Sequence, residues 1–298
     1  MQGFSKLALW LGLLGLACTN ASAELEQGSG LGGLPEVAFS DLSQPDPNPL
    51  GAKALALAGE WKHGETEHFI YHYQRSFVAT PIAAEAEFHY RVVTGELGRP
   101  ELPWPEKAHI YIFEAPAAWE AFQSAGQLEP WTGGIQSAGS LFIVRNPAYR
   151  FANNSLGHEV AHLVLHRVYG DHLPLWLNEG FAQYVSKGAR SSYQRARGYL
   201  SKPRSHGVAS EKLFPLATLA TMSYPPADQV TTFYDESERL VRFLVATDKP
   251  KFFALLDLLA RGQPLESALA KTSVVFPSLA NLEEQFTDYA SKDSPIAE

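Results

Sequence analysis

The sequence predicts an α+β protein in which a small mixed β-sheet in the N-terminal half is followed by a mainly helical second half. Three observations lead there. Short runs rich in β-branched and aromatic residues, set off by Gly and Pro, are confined to the chain before residue 146. Helical patterns alternate with them in that half and take over after Ser155. The 298 residues, 45% hydrophobic, 12% aromatic and 19% charged, suffice for a buried core and are neither disordered nor membrane-saturated in composition.

The first 23 residues carry one cation, Lys6, an apolar run from Leu7 to Ala17, and the small triplet Ala21-Ser22-Ala23. That is the layout of a cleavable secretory signal, and the run is too short to span a bilayer, which takes about 20 residues. A periplasmic or secreted protein is therefore expected. Cys18 offers a second reading, a lipoprotein cysteine, but no Leu stands three residues before it. Cleavage after Ala23 removes the only cysteine in the chain, which excludes a disulfide framework and a thiol nucleophile from the mature protein. Residues 24–51, rich in Gly, Pro, Ser and Asp, read as a flexible leader or loosely docked arm. Its Gly28, Gly30 and Gly33 match GxGxxG, yet no strand precedes them and no helix follows, so the dinucleotide mechanism lacks its parts.

An α/β subdomain is expected over 52–150. Within it "HFIYHYQ" (68–74), "AHIYIFE" (108–114) and "GSLFIVR" (139–145) read as strands, with helices over 81–97 and 115–126. A helical subdomain over 151–290 and a short tail, 291–298, complete the chain. The formal charge of −8, with no Lys/Arg block, argues against nucleic acid or an anionic membrane as partner.

At the junction stands His158-Glu159-Val160-Ala161-His162, the pattern HExxH. Residues four apart share one helix face, so both imidazoles can point at one metal ion, while Glu159 is rotated off that row yet can reach a water beside the ion. Asn154 or Ser155 can cap such a helix and Gly170 can end it; Leu156, Val160, Leu163, Val164 and Val168 make it a buried one. Downstream, Pro174 can start a second helix whose apolar stripe brings Glu179 against the first. Two imidazoles and one carboxylate leave a tetrahedral position open, the arrangement of a catalytic zinc site. His166 extends the row, but as a fourth ligand it would close that position, and it reads as a packing or supporting residue.

"HEVAH" followed by "WLNEGFAQY" resembles the gluzincin metallopeptidases, in particular the aminopeptidase N-like group and the peptidase MA-like proteins of bacteria. The resemblance covers about Asn154 to Leu244. It implies a zincin-like catalytic subdomain with zinc on His158, His162 and Glu179, and Glu159 as general base. The spacing from His162 to Glu179 is closer to that of the peptidase MA-like proteins than to that of the aminopeptidases. The segment "PADQVTTFYDESERLVRFLV" resembles the family stretch carrying a phenol donor, which implies that role for Tyr234, with Tyr224 as the other candidate. In such enzymes a sheet edge near the metal helix pairs with extended peptide, a place expected for Gly139 to Val144. Aminopeptidase relatives hold a free N-terminus through a glutamate in a GxMEN-like segment; this chain reads "GGIQSAG", with Gln136 and no acid, which argues against N-terminal trimming.

The expectation is an exported zinc metallopeptidase acting on a peptide or protein substrate, with no integral membrane span. Two other readings use the same residues: an exported zinc-binding protein of assembly or binding function without turnover, and a zinc amidase acting on cell-wall peptides.

Overall fold

The computed structural model describes residues 33–57, 59–129, 132–145, 155–196, 213–272 and 275–292. Among them, five strands form one sheet: β1 (Lys62–Glu65), β2 (Phe69–Tyr73), β3 (Ala108–Phe113), β4 (Gly134–Ser137) and β5 (Ser140–Val144). Their order is β1-β2-β3-β5-β4. The central pairs β2/β3 and β3/β5 are parallel and the outer pairs β1/β2 and β4/β5 antiparallel, so the sheet is mixed, as expected. The described helices are α1 (Pro49–Leu55), α2 (Ser76–Glu96), α3 (Pro116–Gly126), α4 (Leu156–Tyr169), α5 (Leu175–Ala196), α6 (Leu216–Thr221), α7 (Val230–Ala260), α8 (Leu265–Thr272) and α9 (Leu279–Lys292). The α+β class is therefore the one found.

Alternation along the strands sorts the sheet into two packed faces. On one, the Tyr71 hydroxyl meets Thr66 Oγ1 (3.1 Å) and the Ala83 carbonyl of α2 (3.4 Å). On the other, Tyr111, Phe113 and Phe142 pack with Trp119 and Phe122 of α3 and Ala54 of α1. Rings there stack at 4.7–4.9 Å between centroids (Tyr111–Phe142, Phe113–Phe122, Phe122–Phe142).

Several expectations are corrected. Strand β5 is not a sheet edge: it lies between β3 and β4, and the edge on that side is β4. β4 is reached through a two-residue turn, Ala138-Gly139, with φ of 44° and 84°, which matches the positive-φ geometry that closes tight hairpins. Helix α2 starts at Ser76 rather than at Pro81, which stands inside it with an exposed ring and at the cost of one ladder hydrogen bond. The later part of the expected leader is docked. Val37 bridges to His63 of β1, the Leu34 N–H donates to Thr80 Oγ1 (3.0 Å), and Asn48 caps α1 by accepting from the Leu50 N–H (2.9 Å). Asp46 accepts from Tyr111 Oη (2.8 Å) and Ser140 Oγ (2.9 Å), and Asn48 Nδ2 donates to the Ser137 carbonyl (2.7 Å), so this strap holds both residues flanking the β4–β5 turn. The expected signal segment, 1–23, lies outside the described residues. Among the described residues no helix is long and apolar enough to cross a membrane.

The chain divides into two compact units, residues 1–164 with 189–197, and residues 165–188 with 198–298. Helices α4 and α5 contribute residues to both. The second unit is helical, with Phe181 stacked on Phe252 (6.3 Å) and Phe243 against Phe276, Phe286 and Tyr289. Helix α7 is two helices joined at Asp248, whose extended backbone (φ −160°, ψ 93°) breaks the ladder. Asp248 Oδ1 then accepts from the Lys251 N–H (3.1 Å), an N-cap that lets Pro250 stand in the first turn of the second half.

A row of buried imidazoles crosses three strands. His63 Nδ1 meets His72 Nδ1 (2.8 Å), and His72 Nε2 meets His109 Nδ1 (2.9 Å). Burial pushes the His72 pKa down to about 2, with His109 and His63 adding to the shift. His72 is thus neutral in the fold but takes up a proton near pH 6.5 once unfolded, so its contribution to stability is complete above that pH and is lost as pH falls below it. Urea unfolding at pH 7.5 and pH 5 is expected to show a loss of about 1–2 kcal/mol at the lower pH, reduced in His72→Gln.

Candidate metal centre

Helix α4 does what its pattern requires. Leu156, Val160, Ala161, Leu163 and Val164 are fully buried and fix its orientation in the core, leaving His158 and His162 half-buried on another side. Their Nε2 atoms stand 2.9 Å apart with the rings perpendicular, centroids 4.4 Å apart. Helix α5 begins after Pro174, whose carbonyl accepts from the N–H groups of Leu177 and Asn178 (both 3.0 Å). Burial of Trp176, Leu177, Phe181 and Ala182 fixes its register and leaves Glu179 half-buried. One ligand atom from each of His158, His162 and Glu179 lies within 4.8 Å of the other two, the only such group of three or more among the described residues. Two imidazole nitrogens and a carboxylate oxygen at that separation fit a divalent ion of zinc's preferences.

Glu159 is buried, 7% exposed, on the flank of this group. A Cβ placed on Gly134, the first residue of β4, would lie 3.1 Å from Glu159 Oε1 and 2.9 Å from Ser155 Oγ. The edge strand therefore begins directly over the carboxylate, at a position where a side chain would have to displace Ser155 and press on Glu159. The Ser155 hydroxyl donates to the Gly133 carbonyl (3.3 Å), joining the strand entry to the start of α4.

The other candidates are placed as follows. His166 turns away to Asp171, Nδ1 to Oδ1 2.9 Å, near the end of α4. Tyr234 occupies the second turn of α7, half-buried beside the fully buried Phe233 (centroids 5.7 Å). Tyr224 is 61% exposed.

A search of curated proteins finds no match. The family model of the peptidase MA superfamily matches residues 103–291, well over half of the chain. The chain belongs to the peptidase MA superfamily. The match begins at the approach to β3 and runs through α9, so it takes in β4, both helices of the metal group and α7.

Within this superfamily fold, two glycines escaped sequence reasoning. Gly157 precedes His158, and Gly180 follows Glu179. A Cβ on Gly180 would fall 2.4 Å from the Ser237 carbonyl oxygen and 2.7 Å from its carbon, backbone atoms of α7 that cannot move aside. A Cβ on Gly157 would meet the His89 ring. The available signal was a glycine inside a helical pattern, which costs about 1 kcal/mol relative to alanine and so marks a packing demand. Gly180→Ala is expected to destabilise the protein by about 1–3 kcal/mol, read as a lower urea midpoint with unchanged slope.

Two residues beyond Tyr234, Glu236 is 2% exposed and its Oε2 accepts from the Phe214 N–H (2.9 Å). Burial raises its pKa to about 7, Glu283 adds to the shift, and the Phe214 bond opposes it. A carboxyl protonated in the fold but ionised when unfolded gives stability that is complete below about pH 4.5 and declines as pH rises through 7. Glu236→Gln is expected to remove that decline, gaining about 1–3 kcal/mol on wild type between pH 5 and pH 8 in chemical denaturation.

Proposed function

We propose that the chain is an exported zinc-dependent peptidase in which His158, His162 and Glu179 hold the metal and Glu159 is the general base. The observation that carries this reading is the convergence of the three ligand atoms within 4.8 Å, with the buried Glu159 carboxylate beside them. Membership of the peptidase MA superfamily supports it. When bound, zinc supplies Lewis-acid polarisation of a carbonyl and a water of lowered pKa.

The chain's own residues supply the rest. Glu159 takes a proton from the attacking water and returns it to the departing amine nitrogen. Its burial keeps bulk water from competing for that proton. Tyr234 has the role of donating its hydroxyl hydrogen to the oxygen that gains negative charge. Strand β4 supports a peptide substrate. Ser137 and Ser140 flank the two-residue turn and form its hydrogen-bonded pair, so by alternation the backbone groups of Gly134 and Gln136 point away from β5. An extended peptide that adds to this edge lies beside Glu159 at Gly134. Gln136 brings a neutral amide to the same strand, and its Nε2 is buried without a hydrogen-bond partner among the described residues. An amide suits a substrate carbonyl better than a free ammonium terminus, which favours cleavage within a chain.

The test pairs metal analysis with hydrolysis of a peptide library, casein and peptidoglycan. Wild type is expected to bind one zinc and cleave peptides in a chelator-sensitive manner. Glu159→Gln should keep the metal and lose several orders of magnitude in kcat, whereas His162→Ala should lose the metal itself. Stoichiometric zinc without hydrolysis of any of the three substrates would return the chain to a binding role, and cleavage of peptidoglycan alone would make it a cell-wall amidase.

A further inference from the structure

Helix α2 presses a buried imidazole onto the backbone of α4 one residue before the first histidine of the metal group. His89 is 2% exposed. A Cβ on Gly157 would lie 2.4 Å from its Cε1, 2.7 Å from Nδ1 and 2.8 Å from Nε2, so the edge of the ring already occupies the space of that side chain. Glu85, one turn earlier on α2 and 3% exposed, sets Oε1 3.6 Å from Nε2, and the Phe88 ring stands at 75° to it with centroids 5.9 Å apart. Phe88 in turn packs on Tyr193 (5.0 Å) and Ala189, with Val92 behind, in the last turns of α5. One helix therefore grips the first turn of α4 and the end of α5.

From this geometry we infer that His89, flanked by Glu85 and Phe88, is a positioning residue for the metal group, acting through the backbone of Gly157. The inference rests on the zinc-site reading above. The argument is one of tolerances. Ligand-to-metal distances are held to within roughly 0.2 Å, whereas a packed helix yields by several tenths of an ångström at modest cost. A displacement of the first turn too small to unfold the protein is thus large enough to mis-aim His158, which follows Gly157 directly. Neither His89 nor Glu85 needs to touch metal or substrate for this. Supporting residues of metal ligands typically affect affinity by about 10–100-fold.

The test is a double-mutant cycle read on metal binding. Zinc affinity is measured by competition with a chromogenic chelator, ligand geometry by the absorption bands of the cobalt-substituted protein, and thermal midpoints are recorded alongside. Gly157→Ala and His89→Ala are each expected to weaken zinc binding by about 10–100-fold and shift the cobalt bands, with His89→Gln recovering most of the loss. The double variant Gly157→Ala/His89→Ala should bind zinc more tightly than Gly157→Ala alone, because the added methyl enters the space the ring has left. The inference is overturned if these variants lower the thermal midpoint but leave affinity and cobalt spectrum at wild-type values, or if the double variant shows simple additivity. If Gly157→Ala does not fold, the His89→Ala and His89→Gln pair decides on the same two readouts. A wild-type protein that binds no zinc overturns the site reading itself, a result distinct from any in the variant series.

Discussion

Two imidazoles four residues apart can aim at one point only if the helix that bears them is regular through both and is prevented from sliding or rolling. The rest of the structure serves that constraint on α4. Its apolar residues, from Leu156 to Val164, are buried and hold the helix in the core, while His158 and His162 remain half-buried with Nε2 atoms 2.9 Å apart. Burial alone does not set the position of a helix along its own axis. Close backbone contacts do, and the glycines beside the metal-group residues make such contacts: Gly157 against a ring of α2, and Gly180 against the backbone of α7.

The polar chemistry of the centre follows from the same placement. Glu159 is rotated off the histidine row by helix geometry, which carries it under Gly134, the first residue of the edge strand. A carboxylate there is shielded by backbone rather than by a bulky side chain, so it is buried and still adjacent to a sheet edge with outward-facing amide groups. The Glu159 carboxylate and the edge of the sheet are brought together by one register: that of β4 on β5, set by the Ala138-Gly139 turn.

Much of this was legible in the sequence because the signals are local. The strands β2, β3 and β5 are runs of aromatic and β-branched residues, and the helices α4 and α5 carry period-3.6 patterns, with a cap and a stop at the ends of α4 and Pro174 ahead of α5. The edge strands were not legible. "KHGE" has no β-branched side chain and "GIQS" only Ile135, and they are strands because a neighbour of strong propensity offers them a ladder. The docking of the strap was hidden for another reason: its composition is that of a loop, and it is held by single polar groups, Asp46 and Asn48, whose partners are far along the chain. The same holds for His89, whose bearing on Gly157 depends on a helix crossing that no local pattern encodes.

The family match starts at residue 103, after α2 and before β3. Two of the five strands and the helix that meets both α4 and α5 therefore precede it. A fragment cut at that boundary would bare one flank of β3 and leave a ring-sized void beside Gly157. The geometry of the centre thus draws on residues that lie outside the segment by which its kinship is recognised.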